Sequence, residues 1–140
     1  MPVSLGFVIE VGSIKEENES LEDFLRKVVE DYKRRKEYLK DKLCDSIIEK
    51  RQVRFRYDFQ ENSRIVEPYI LGVDYNGNVK LGAYQVEGYS KSGVPEGWKI
   101  FFLDKMECLE VLDKTFEVRE DYNPSGYNFV VDICEVELFE

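Results

Sequence analysis

The chain has 140 residues, 43% of them hydrophobic, a net charge of −9 and no histidine. That apolar content is enough for one folded core without a disulfide staple. The missing histidine removes the commonest general base and excludes a Cys–His zinc site, and the acidic balance repels bulk nucleic acid.

The charge is unevenly placed. Residues 1–50 are net −2, residues 51–105 are net +1, and residues 106–140 are net −8. An anionic ligand therefore has to bind locally, in the central stretch. The three cysteines, Cys44, Cys108 and Cys134, show no paired spacing and read as reduced thiols. Cys44 and Cys108 fall on apolar periodic positions, as buried packing residues do.

Val3 to Val11 reads as a β-strand. It has no basic leader or cleavage site and is too short to span a bilayer. A helix starts near Ser20, which forms a loose capping box with Asp23. Leu21, Phe24, Leu25, Val28, Val29 and Tyr32 make one stripe, continued by Leu39, Leu43 and Ile47. The stripe weakens across Lys33–Lys36, where a bend or break is expected. Acid-first pairs four apart, such as Glu22–Arg26 and Asp31–Arg35, support a solvated face.

Val53, Phe55 and Tyr57 alternate with Arg54 and Arg56, a strand with one apolar and one basic face. Glu61–Ser63 is a turn and Arg64 to Leu71 a second strand, in which Pro68 marks an edge or bulge. Asn76-Gly77 suits a type I′ hairpin turn. Val79 to Glu87 is a third strand, Gly88 to Gly97 a polar loop, and Trp98 to Leu103 a fourth strand. Met106 to Leu112 supplies a fifth, and Phe129 to Phe139 an acidic C-terminal strand.

Five short strands after a helix, joined by tight turns, suit a small SH3-like barrel. Within them, Ile47 to Tyr57 resembles the opening of a WYL domain. Arg64-Ile-Val-Glu-Pro-Tyr-Ile-Leu resembles that family's second strand, and Phe101-Phe-Leu-Asp-Lys-Met its closing motif. The likeness spans about residues 44–116. It departs at Val79-Lys80-Leu81, where the naming Trp-Tyr-Leu would fall, and at Phe102, where the family has arginine. The resemblance implies an Sm-like barrel acting as a regulatory ligand-sensing module that engages nucleic acid or nucleotides. Carried over position by position, it nominates Tyr57, Arg64 and Lys105.

From the residues themselves, Arg54, Arg56, Arg64, Lys99 and Lys105 could form a phosphate-binding face, since arginine matches phosphate geometry. Tyr84, Gln85 and Trp98 could stack on and hydrogen-bond a base. The plainer reading is a solvated strand face paired to Asp58, Glu61 and Glu67, with Trp98 in the core. No nucleophile or metal-ligand cluster accompanies Glu67 and Asp104, so no enzyme is expected.

The sequence thus predicts an α+β protein in three segments. Residues 1–43 are an N-terminal strand and long helix, 44–116 a small SH3-like (Sm-like) β-barrel, and 117–140 an extra acidic C-terminal strand. The expected function is non-catalytic sensing of single-stranded nucleic acid or a nucleotide, with no cofactor, metal or membrane, in a cytoplasmic homodimer. The alternative is an interaction module that dimerises through the long helix and terminal strands.

Overall fold

The computed structural model describes residues 20–90 and 93–138. The strand expected over 3–11 lies outside them. The chain divides into two compact units, residues 1–35 and 36–140.

Helix α1 runs over Leu21–Glu49, 29 residues, continuously through the basic run Lys33–Lys36 where a break was expected. Ser20 caps it: the Asp23 amide donates to Ser20 Oγ at 3.1 Å. Surface ion pairs form three residues apart at Arg26–Asp23, Arg34–Asp31 and Lys40–Glu37. Lys50, at φ 57, ends the helix in the left-handed region. Its carbonyl then accepts from the Phe116 amide at 2.9 Å, which fixes the entry into the first strand.

Among the described residues, six antiparallel strands follow. They are β1 (Arg51–Tyr57), β2 (Ser63–Val73), β3 (Val79–Gly88), β4 (Gly97–Phe102), β5 (Met106–Thr115) and β6 (Val131–Glu135). The order is β4-β3-β2-β1-β5, so β4 and β5 are the two edges of that path and hydrogen bonding does not close the expected barrel. A single turn of 3₁₀ helix, Leu103–Lys105, carries β4 into β5.

β2 changes partner along its length. Ser63–Val66 pairs with β1, whereas Ile70–Val73 pairs with β6. The exchange falls at Pro68, which lacks an amide hydrogen for a ladder bond, and the register with β3 slips between Pro68 and Ile70. The C-terminal strand is shorter than its apolar run suggested, because only five residues lie along the stretch of β2 that β1 leaves unpaired.

The two hairpin turns reverse the expectation from Asn76-Gly77. There only Gly77 has positive φ (83°), and Asp74 Oδ1 accepts from the amides of Asn76 and Asn78, each at 2.9 Å. The pair of positive φ angles falls instead on Asp58 (58°) and Phe59 (62°), after β1. A Tyr57-to-Gln60 backbone bond of 3.2 Å closes that turn.

The core of the second unit joins Leu43 and Ile47 of α1 to Val53, Phe55, Val66, Leu71, Leu81, Phe101 and Leu103, all at 0–1% exposure. Each such aliphatic side chain contributes about 1.5–3 kcal/mol by leaving water.

The cysteines correct two expectations. Cys44 and Cys134 form a disulfide that ties α1 to β6 across 90 residues, with Cα atoms 5.8 Å apart. Cys108 is free and exposed, not buried. It occupies a bulge of β5, at φ 58, where the register with β1 shifts between Arg54 and Arg56.

Candidate functional site

The feature that stands out physically is Arg64. It lies on β2 opposite Phe55 on β1 and Gly88 on β3. Strand alternation turns it to the face that carries Phe55 and Val66. It is only 6% exposed. A Cβ on Gly88 would meet the Ser63 carbonyl and, at 2.7 Å, the Arg64 Cα, so glycine permits the close approach of β2 and β3 at this point.

Three rings surround the guanidinium: Tyr57 at 5.2 Å, Phe101 at 5.4 Å and Tyr89 at 5.7 Å. Its hydrogen bonds go to neutral amide oxygens. Nη1 donates to Gln85 Oε1 at 3.3 Å and Nη2 to Gln60 Oε1 at 3.1 Å. Nε has no partner. Among the described residues no carboxylate is paired with it by a salt bridge. Burial accordingly lowers the Arg64 pKa, opposed by Tyr57, Tyr89 and Asp58. A buried cation without a counter-ion is costly, and one unsatisfied buried donor costs about 1–3 kcal/mol.

Arg64 lines a concavity of about 340 Å³ together with Tyr57, Asp58, Gln60, Ser90, Lys99, Ile100, Phe101 and Lys105. Each neighbour is held by a local cause. The Tyr57 hydroxyl accepts from the Phe102 amide at 2.8 Å, and burial raises its pKa. Gln85, fully buried, donates to the Tyr89 carbonyl at 2.9 Å and so fixes both Arg64 and the start of the 88–97 loop. Lys99 Nζ donates to Ser90 Oγ at 3.0 Å and to the Val94 carbonyl at 2.9 Å. The Lys105 carbonyl accepts from Asp58, tying the 3₁₀ turn to the strained Asp58-Phe59 turn. Arg64, Lys99, Lys105 and Asp58 thus line one small space, with the Lys105 ammonium also 5.1 Å from the Phe102 ring.

The structure brings Tyr57, Arg64, Gln85, Lys99 and Lys105 of the sequence-predicted residues together and leaves the other four apart. Arg54 pairs with Glu110 at 2.9 Å. Arg56 lies 3.8 Å from Glu107 and donates to Cys108 Sγ at 3.4 Å. Both alternate away from Phe55, onto the other face of β1. Trp98 likewise points opposite to Lys99. Its ring meets Tyr69 at 4.9 Å and Tyr84 at 5.2 Å, and its Nε1 donates to Asp121 Oδ2 at 3.0 Å. The face of Tyr84 is already covered by the Arg119 guanidinium at 3.6 Å. These two rings form part of a packed cluster rather than an open stacking platform. Lys80 is held by Asp74 at 2.8 Å and lies 4.7 Å from the Phe102 ring.

Sequence reasoning missed Gln60, Tyr89 and Ser90, which no periodicity or motif marks. It also missed Arg119, whose Nε and Nη2 grip Glu67 at 2.8 and 3.2 Å. That pair borders a larger, shallower depression of about 880 Å³. Five acidic and two basic side chains line it, so it repels anions.

No protein-family model matches the chain, and no curated protein does. One solved structure that it resembles is proteasome accessory factor B/C (PafBC) of Arthrobacter aurescens, at TM-score 0.52 and 24% identity. The likeness covers 64% of this chain but only 14% of that one, and it speaks to the fold alone.

Proposed function

We propose that this chain is a non-catalytic, WYL-like sensing module that binds a nucleic acid or nucleotide through phosphate in the Arg64 pocket. The observation that carries the reading is a buried arginine with neutral partners, an unused Nε donor and two lysines beside it. A phosphate oxygen would complete its hydrogen bonding and supply the missing negative charge. The fold is read as a partly open SH3-like barrel. Phe101 on edge strand β4 meets both Phe55 and Tyr57 on β1, at 5.1 and 5.0 Å, so the sheet curls although its edges do not pair. Likeness to an accessory factor agrees with a regulatory role.

The test is fluorescence anisotropy of a labelled oligothymidylate across a salt series. Binding that weakens with salt, and weakens further in Lys99→Gln/Lys105→Gln, supports the reading. Binding indifferent to both changes opposes it.

A second reading, homodimerisation, draws on α1. Leu21, Phe24, Leu25, Val28 and Val29 are 49–72% exposed along one stripe. No helix among the described residues is long and apolar enough to cross a membrane. A solution mass that doubles with concentration, and returns to monomer in Phe24→Glu/Val28→Glu, supports dimerisation.

A further inference from the structure

We infer that the Arg64 pocket selects a phosphomonoester, the terminal phosphate of a mononucleotide-sized ligand, over the phosphodiesters inside a strand. This deepens the reading of the pocket as an anion site and rests on it.

Charge is the first argument. Arg64, Lys99 and Lys105 set against Asp58 leave the lining at net +2. A phosphomonoester carries about −1.5 to −2 at neutral pH, with its second pKa near 6, whereas each internal diester carries one charge. The buried guanidinium already gives two donors to amide oxygens and keeps Nε free. A dianion with three equivalent acceptor oxygens balances this cationic lining better than a singly charged diester does.

Size and surroundings give the second. The pocket, about 340 Å³, sits at the small end of ligand sites, which run from about 300 to 1,000 Å³. A strand needs a cationic track with exposed rings beyond its first phosphate. Exposed rings border the pocket, Phe59 at 89% and Tyr89 at 37% exposure, but the arginines of β1 do not continue it as a cationic track. Arg54 and Arg56 lie on the other face of β1 beside Glu110 and Glu107. The rings of Tyr84 and Trp98 are also turned away and engaged, one by Arg119 and the other by Asp121.

The experiment uses the full chain and oligothymidylates of increasing length. Each carries a 3′ fluorophore and ends in a 5′-phosphate or a 5′-hydroxyl. Adenosine 5′-monophosphate serves as competitor. The 5′-phosphate should tighten binding about tenfold, as one added charge-assisted contact does. Length should not matter, and adenosine 5′-monophosphate should displace the probe. The preference should fade as pH falls from about 7.5 to about 5, through the second phosphate pKa near 6. Lys105→Gln, at a partly solvated position, should reduce the preference without unfolding the chain.

A 5′-phosphate preference that the mononucleotide cannot compete away would assign the phosphomonoester to a strand end and overturn the mononucleotide-sized ligand. Equal binding of both ends, rising with length, would overturn the inference and leave nucleic-acid binding standing. No binding of any probe would overturn both.

Discussion

Arg64 donates to the side-chain oxygen of Gln85 at 3.3 Å, and both side chains are almost fully buried. The contact pairs a cation with a neutral amide where stability alone would favour a carboxylate or an apolar side chain. Replacing Arg64 by methionine should therefore leave the denaturation midpoint unchanged or raise it, while abolishing anion binding. Gln85→Leu should do the opposite to stability, costing about 1–3 kcal/mol because it strands a buried charge. Urea unfolding of both variants checks the pair; an Arg64→Met variant that fails to fold would assign Arg64 a structural role.

Glu67 presents a contrasting case. Its carboxylate, 7% exposed, is gripped at both oxygens by Arg119, which also covers Tyr84. Glu67 raises the Arg119 pKa through this hydrogen bonding. Arg119 is more than one-third exposed, so solvent weakens the pair. Glu67→Gln should still cost about 1–3 kcal/mol, since it unpairs a cation that orders residues 116–122. Thermal unfolding measures this, and phosphate affinity should not change.

The Cys44–Cys134 bond closes a long loop and joins α1 to β6. Reduction, or Cys44→Ala, should lower stability by about 2–5 kcal/mol. Urea titrations with and without a thiol reductant test this. The transition of Cys108→Ser should remain sensitive to reductant, because the exposed third cysteine takes no part in the bond.

Acid stability should depend on Asp74. A hydrogen bond from Lys80, then those from the Asn78 and Asn76 amides, hold its pKa down from 3.8 to about 2. A carboxylate depressed in the folded state stabilises above its unfolded pKa and loses that contribution as pH falls through the folded one. The loss should therefore fall between pH 3.8 and about 2. Asp74→Asn should flatten that part of the stability profile and lower stability across the neutral region, where the carboxylate's contribution is fully present.

Strand periodicity, Pro68 and the Ser20 cap were legible in the sequence because each is a local signal. The disulfide was not, since two cysteines 90 residues apart meet only through tertiary folding. The Asp58-Phe59 turn was hidden too. Neither residue is glycine, and the left-handed conformation costs roughly 1–2 kcal/mol for a residue such as Phe59. Phe59 is 89% exposed, so Phe59→Gly should relieve strain and raise stability by about 1 kcal/mol. Composition pointed to basic and aromatic residues between 53 and 105 but could not say which shared a face. Adjacent positions such as Trp98 and Lys99 necessarily oppose one another in a strand. The amide partners of Arg64, Gln60 and Gln85, become meaningful only once burial is known.

The most direct measurement follows the side-chain Nε–H of Arg64 in a proton–nitrogen correlation spectrum during titration with adenosine 5′-monophosphate. That donor is buried and unpartnered in the free protein. A phosphate in the pocket should shift its resonance strongly downfield and move the Ser90 and Lys105 amides, while the Nε–H of Arg119 stays in place. An unmoved Arg64 resonance, with the shifts gathered instead around Arg54 and Arg56 or around Trp98 and Arg119, would contradict an anion site at Arg64.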